Sequence, residues 1–332
     1  MEYKSIGDTG VKVSSLCLGT MSFGGTADKN QSSEIFKRCR DEGINFIDCA
    51  NIYSGMKSEE LVGQLLEDCR NEFVLATKVG HPFGDGPDDG SLSRRHIMDQ
   101  VEKSLKRLRT DRIDFYFAHW FYEDIAMEEI LRAFDDLVRQ GKILYPAVSN
   151  WAAWQIAKSL GISTSQGLHS FRCIQPMYNL LKRQAEVEIF PLAQSENLGV
   201  TTYSPLGGGM LTGKYTDGPQ PAKGRIKEVE IYAKRYAGEA NLKIAARFVS
   251  LAQKRGVDPI ALAVAWVMAH PAVTCPIIGA RKVEQLGPYL QALQIEMGED
   301  LYQEISALTP PPPVATDRTE ELYGPIKIPK KV

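Results

Sequence analysis

The side chains that build metal centres and disulfide frameworks are few in this chain and scattered. Six cysteines, at positions 17, 39, 49, 69, 173 and 275, include no C-x-x-C pair, and the five histidines form no cluster, so neither a zinc nor an iron–sulfur site is expected from spacing. Several cysteines lie inside apolar runs, as Cys17 does in Ser15-Leu16-Cys17-Leu18, which suits reduced thiols packed as small hydrophobes in a reducing compartment. An excess of one charge is also missing. The formal net charge is −2, so neither nucleic acid nor an anionic membrane surface is an expected partner. No uninterrupted apolar stretch is long enough to span a bilayer, and Met1 leads straight into charged and turn residues rather than an apolar signal region. The expected location is therefore the cytoplasm. No linker divides the chain, and no internal repeat is present beyond a strand–helix unit.

What is present is an alternation. The 332 residues are 43% hydrophobic and 24% charged, ordinary for a globular protein and enough for one α/β barrel with additions. Candidate strands are Leu16 to Gly19, Asn45 to Asp48, Phe73 to Lys78, Ile113 to His119, Leu144 to Ser149, Cys173 to Met177, Val200 to Tyr203 and Thr274 to Ile278. Helical stretches fall between them, the clearest being Ser33 to Asp41, Ser58 to Cys69, Arg94 to Leu108, Glu128 to Gln140, Ala185 to Glu196 and Glu239 to Arg255, with Ser58 and Ser93 as candidate caps. Eight such units predict a (β/α)8 TIM barrel in a single domain over residues 1–332. Before it, Tyr3 to Val13 reads as a hairpin turning at Gly7-Asp8-Thr9-Gly10, placed to plug the barrel floor.

Three segments break the rhythm. Gly80 to Gly90 is rich in glycine, proline and aspartate and reads as a mobile loop over the site. Leu206 to Gly238, after the seventh strand, is long for a βα loop and reads as a lid or cofactor clamp. From Thr309 the chain passes through four prolines into a tail over 309–332, which either drapes over the barrel or is disordered.

Asp48, Tyr53, Lys78 and His119 each follow an apolar strand-like run at its C-terminal end. In a parallel barrel those ends converge on one face, where active sites are built. A phenol, with an ordinary pKa of about 10, is a poor proton donor or acceptor at neutral pH, and a neighbouring ammonium lowers that value. Tyr53 would be the acid and Lys78 its tuner, with Asp48 holding Lys78 and His119 hydrogen-bonding a carbonyl oxygen. Each residue has a plainer role as well: Asp48 as a helix cap, Tyr53 as a packing residue, His119 as a hydrogen-bonded structural histidine. Lys78 is harder to explain so, since a lysine within an apolar run must be paired.

The segment Phe46-Ile47-Asp48-Cys49-Ala50-Asn51-Ile52-Tyr53 with Ser58-Glu59-Glu60, then Ala76-Thr77-Lys78, then His119 at its strand end, resembles the aldo-keto reductase family in order and placement, over about Tyr3 to Leu293. The resemblance implies a barrel that binds a nicotinamide cofactor in extended form. Gly207-Gly208-Gly209 lacks the following helix and acidic residue of a Rossmann fingerprint, which agrees. By the resemblance, Gly19-Thr20-Met21 would lie beneath the nicotinamide, Ser149-Asn150 and Gln175 would bind its carboxamide, Tyr203 would stack on its ring, and Ser204-Pro205-Leu206 would follow the pyrophosphate. Lys214 and Arg225 would contact phosphate, and Gly279, Arg281 and Gln285 would hold the adenosine end. Arg281, with Lys282 and Lys214, favours NADP, because a guanidinium grips a ribose phosphate with two donors; the plainer reading is an exposed helix start with incidental charge. NAD stays open as the cofactor, since Pro288-Tyr289 stands where many relatives carry Glu-Asn. Ala147 stands where glycine is common, and Pro146 beside it predicts a local irregularity in that strand.

The implied activity is hydride transfer from nicotinamide C4 to an aldehyde or ketone, or the reverse alcohol oxidation. Trp120, Phe121 and Tyr122 after His119, and Trp151 after Asn150, predict an aromatic rim for a small carbonyl or sugar-like substrate, or else packing beneath the Gly80 loop. Asp85, Asp88 and Asp89 in that loop weigh against a strongly anionic substrate. A cofactor-binding regulatory or interaction subunit of the same fold, like the potassium-channel β-subunits, is the alternative function, and a homo-oligomer is left open. A two-carboxylate hydrolase is disfavoured, since Asp48 has no acidic partner at another strand end.

Overall fold

The computed structural model describes residues 1–84, 86, 89–216 and 224–316. Asp85, Asp88 and the tail from 317 lie outside the described residues.

Strands β1 (Tyr3–Ser5) and β2 (Lys12–Ser14) pair antiparallel. Eight further strands follow: β3 (Cys17–Gly19), β4 (Phe46–Asp48), β5 (Val74–Val79), β6 (Ile113–Ala118), β7 (Ile143–Ser149), β8 (Cys173–Gln175), β9 (Gly199–Thr202) and β10 (Cys275–Ile278). They form a closed barrel in the order β10-β3-β4-β5-β6-β7-β8-β9, every pair parallel. The sequence reading of the fold stands, with each strand within one or two residues of its expected bounds.

The strands are short apolar runs because both of their faces are covered. On β6, Phe115 and Phe117 point inward and Tyr116 and Ala118 outward, the two-residue alternation that separates barrel interior from helix layer. The interior holds Cys17, Phe46, Ala76, Ala147, Cys173 and Cys275, and from below Ile6 and Val13 of the hairpin join the same cluster, both fully buried. Arg172 pairs with Asp8 of the hairpin turn at 3.1 Å. The hairpin thus closes the barrel floor.

Three expectations are corrected. Ser93 caps the helix Arg94–Leu108 by accepting from the His96 amide, but Ser58 caps nothing; the helix Lys57–Leu66 starts after Met56 in the left-handed region, and the Ser58 hydroxyl donates instead to the Thr20 carbonyl at 2.8 Å. The stretch Ala185 to Glu196 divides into a 3-10 turn, Gln184–Glu186, and a short helix, Ile189–Ser195, in which Pro191 occupies the first turn, where its missing N–H costs nothing. Pro146 does not disturb β7, which keeps register with β6 through the Tyr116–Pro146 pair while the Pro146 carbonyl accepts from the Arg172 amide.

The long segment after β9 contains a 3-10 stretch, Gly207–Thr212, and helices Arg225–Glu228 and Glu230–Tyr236 before the long helix Glu239–Lys254. No helix among the described residues is long and apolar enough to cross a membrane.

Candidate active site

Register places the first pair. Asp48 is opposite Ala76 on the neighbouring strand, so Lys78, two residues further along, faces the same interior one step nearer the mouth. The Lys78 ammonium, fully buried, donates to both Asp48 carboxylate oxygens at 2.6 and 2.7 Å, to the Cys49 carbonyl at 2.7 Å and to the Tyr53 hydroxyl at 3.1 Å. From β8, on the far side of the barrel, the Gln175 amide donates to Asp48 at 2.8 Å. Asp48 is therefore the floor of a polar cluster and not a helix cap.

The electrostatics follow from this packing. Burial pulls the Lys78 pKa down, and Asp48, with help from Tyr53, pushes it up by more, so the ammonium stays charged. Burial raises the Tyr53 phenol above its ordinary value; Lys78 pulls it back only in part. That corrects the sequence expectation of a lowered phenol. The Asp48 carboxylate offsets part of the ammonium's effect, so desolvation prevails and Tyr53 is a protonated donor at neutral pH.

His119 completes the group. Its ring stands edge-on to Tyr53 with centroids 6.3 Å apart. Its amide donates to the Val79 carbonyl at 2.8 Å and its carbonyl accepts from the Asn150 side chain at 3.0 Å. Burial, then the positive charge of Lys78, then His81, holds the imidazole well below its usual pKa, so it is neutral. Its Nδ1 is buried without a hydrogen-bond partner among the described residues.

Asn150 sits in the left-handed region at φ 61°, which asparagine tolerates better than most residues. Its amide joins three elements, donating to His119 and to Ser149 Oγ and accepting from the Tyr203 hydroxyl at 2.7 Å. Ser149 in turn donates to the Gln175 carbonyl. Ser204, also left-handed at φ 59°, is held by the Asn179 amide on its carbonyl, and Pro205 and Leu206 lead from it into the 3-10 stretch. Gly19 is a packing requirement: a Cβ there would stand 2.6 Å from the Ile277 side chain and 3.1 Å from the Ile278 carbonyl. Thr20 is buried with its hydroxyl donating to the Asp48 carbonyl, whereas Met21 is exposed beside it.

A second group gathers on the long loop. Burial, then Arg281 and Arg225, depresses the Lys214 pKa, with Glu228 the opposing influence. Arg281 lies 3.8 Å from Glu228, and Arg225 stacks over Tyr232. Among the described residues, Lys214, Arg225 and Arg281 gather here around Glu228. Gln285 uses its carbonyl oxygen to accept from the Arg281 and Lys282 amides, so it shapes the turn that carries Arg281. Gly279 has room for a Cβ, and its carbonyl accepts from the buried Tyr289 hydroxyl.

The expected aromatic rim is half present. Trp120 is 44% exposed, but Trp151 is 3% exposed. Trp151 packs edge-on against Phe121 and Phe171, and its indole N–H donates to the Trp120 carbonyl at 3.1 Å. It supports the wall without forming it. The Tyr122 hydroxyl donates to the Gly80 carbonyl, so part of the aromatic run packs beneath the loop, as the alternative reading had it. A residue the sequence reading passed over, His81, lies 5.3 Å from His119, centroid to centroid; its position two residues after the Lys78-Val79 strand end was the available signal. Among the described residues no group of three or more histidine, cysteine or carboxylate side chains is arranged to hold a metal.

The chain is 36% identical over 324 residues to an uncharacterized oxidoreductase of Bacillus subtilis, YrpG, covering 94% of this chain and 97% of that one. It is 34% identical over 302 residues to a probable voltage-gated potassium channel subunit beta of Arabidopsis thaliana, covering 89% and 92%, and 33% identical over 340 residues to the protein tas of Escherichia coli, covering 93% and 97%. Residues 15–310, from the first barrel strand to the end of the last helix, match the model of the aldo/keto reductase family. With eight parallel strands closed into a barrel and Asp48, Tyr53, Lys78 and His119 gathered at its mouth, the chain belongs to the aldo/keto reductase family and has that family's oxidoreductase character.

Proposed function

We propose that the protein reduces an aldehyde or ketone with NADPH, or oxidises the corresponding alcohol in reverse, with Tyr53 as the general acid. The observation that carries this is the 3.1 Å contact between the Lys78 ammonium and the Tyr53 hydroxyl. When bound, a nicotinamide cofactor supplies the hydride. Tyr53 donates its proton to the carbonyl oxygen, and the phenolate left behind lies against an ammonium already in place, so little reorganisation opposes the transfer. His119, neutral, orients the carbonyl by donating one ring N–H. The depressed Lys214 pKa supports a phosphorylated cofactor: crowded cations are relieved by an anion, and Arg281 offers two donors to a ribose phosphate. Six buried thiols, none in a disulfide, support a reducing compartment such as the cytoplasm.

The test is consumption of NADPH and NADH against aromatic and aliphatic aldehydes, ketones and sugars, by wild type and Tyr53→Phe. Turnover with NADPH that falls by a factor of about 10²–10⁴ in the variant, with cofactor binding retained, supports the reading. Arg281→Ala should weaken NADP binding about tenfold more than NAD binding. The likeness to probable potassium channel beta subunits supports a second reading, a cofactor-binding regulatory subunit. Tight NADPH binding with no turnover of any carbonyl would favour it.

A further inference from the structure

His81 stands on the loop that leaves β5, half-buried, with its ring 5.3 Å from His119 and edge-on to Trp120 at 6.0 Å. Its Nδ1 is 2.9 Å from the Pro82 carbonyl. A carbonyl only accepts, so Nδ1 carries a proton, and in the neutral form of the ring the lone pair is on Nε2. Nε2 makes no hydrogen bond among the described residues. Beside it, His119 is neutral and has a buried Nδ1 without a partner. Two imidazoles 5.3 Å apart therefore stand side by side, His119 able to donate to the reacting carbonyl and His81, in its neutral form, able to accept next to it.

We propose that His81 is a specificity residue of the substrate site, and that the substrate it selects carries a hydroxyl on the carbon next to the carbonyl. The inference rests on the reductase reading above. In a 2-hydroxyaldehyde or 2-hydroxyketone the carbonyl oxygen accepts from Tyr53 and His119 while the neighbouring hydroxyl donates to His81 Nε2. A vicinal diketone of the same size has a second oxygen but no proton for that acceptor, so it gains nothing there. Trp120, held by His81 on its ring and by Trp151 on its carbonyl, offers a flat face to the remaining carbons.

The quantity to measure is the ratio of kcat/KM within matched pairs, lactaldehyde over propanal and acetoin over butanone, with butane-2,3-dione beside them, for wild type, His81→Phe and His81→Gln. Wild type should prefer each hydroxylated partner by about fivefold to tenfold more than His81→Phe does, the worth of one neutral hydrogen bond, whereas the ratio of the dione to butanone, set by the dione's greater electrophilicity, should be the same in both proteins. His81→Phe keeps a ring against Trp120 but has no acceptor, and the preference should disappear; His81→Gln, which ends in an amide, should restore part of it. A ratio does not depend on the folded fraction of a sample. A wild-type ratio near one, or a ratio the same in His81→Phe, overturns the assignment of His81 while leaving the reductase reading intact. Wild type that binds NADPH and turns over none of the five compounds overturns the assignment of His81, and if the aromatic aldehydes and sugars of the wider panel are not reduced either, the reductase reading falls with it.

Discussion

Asp48, 3% exposed, is held by donors from two strands, Lys78 from β5 and Gln175 from β8. Removing the ammonium leaves a buried carboxylate whose main partner is gone, so Lys78→Met should cost about 3–5 kcal/mol of stability as well as activity. The double variant Lys78→Met with Asp48→Leu should recover part of that loss, because no buried charge is then left unpaired; urea denaturation of the three proteins checks both outcomes. The candidate site was legible at this scale because each of its four residues ends an apolar run, a pattern visible in one dimension. Two features were not. Trp151 is buried by Phe171, a neighbour contributed by a later segment, and the raised Tyr53 phenol reflects a balance between burial and a partly neutralised ammonium, which spacing does not encode.

Between elements, glycine decides how closely two helices approach. Gly63 on Lys57–Leu66 packs on Arg94–Leu108; a Cβ there would collide with the Arg107 carbonyl and stand 2.7 Å from the Leu108 backbone. Backbone cannot swing aside as a side chain does, so Gly63→Ala should destabilise by about 1–3 kcal/mol. Gly161, on the helix Ala153–Gln166, has nothing within 4 Å of a Cβ, and Gly161→Ala should stabilise by about 0.5–1 kcal/mol from helix propensity alone. Opposite shifts in melting temperature are the expected result. Elements with a local signature were legible, as with Ser93 and the helix it caps. Ser58 misled because its hydroxyl is claimed by Thr20, just past the end of β3, and local cap chemistry carries no information about a competing partner 38 residues away.

At the scale of the molecule, the far end of the barrel wall is tied by Arg183, which is 5% exposed. It pairs with Glu186 through two nitrogens and donates to the Ser306 carbonyl and the Thr309 hydroxyl, each at 3.0 Å. Beside this cluster His270 is packed against Phe190 and accepts from the Ala272 amide through Nδ1. Burial pushes its pKa down to about 4. Between about pH 6.5 and 4 the unfolded chain takes up a proton that the folded chain refuses, so stability should fall with pH across that window, by about 3 kcal/mol for this group. His270→Asn keeps an acceptor for the amide without titrating there. It should be less stable than wild type at pH 7 and show a shallower acid limb, as measured by urea midpoints from pH 7 to 4. The hairpin under the barrel has its own consequence for turnover. Ile6 and Val13 fill the floor and belong to one buried apolar cluster with Phe46, Phe115 and Phe117. On the proposed mechanism, a proton spent by Tyr53 would be replaced from above, by the opening through which product departs. Recharging the acid and releasing product would then share one doorway.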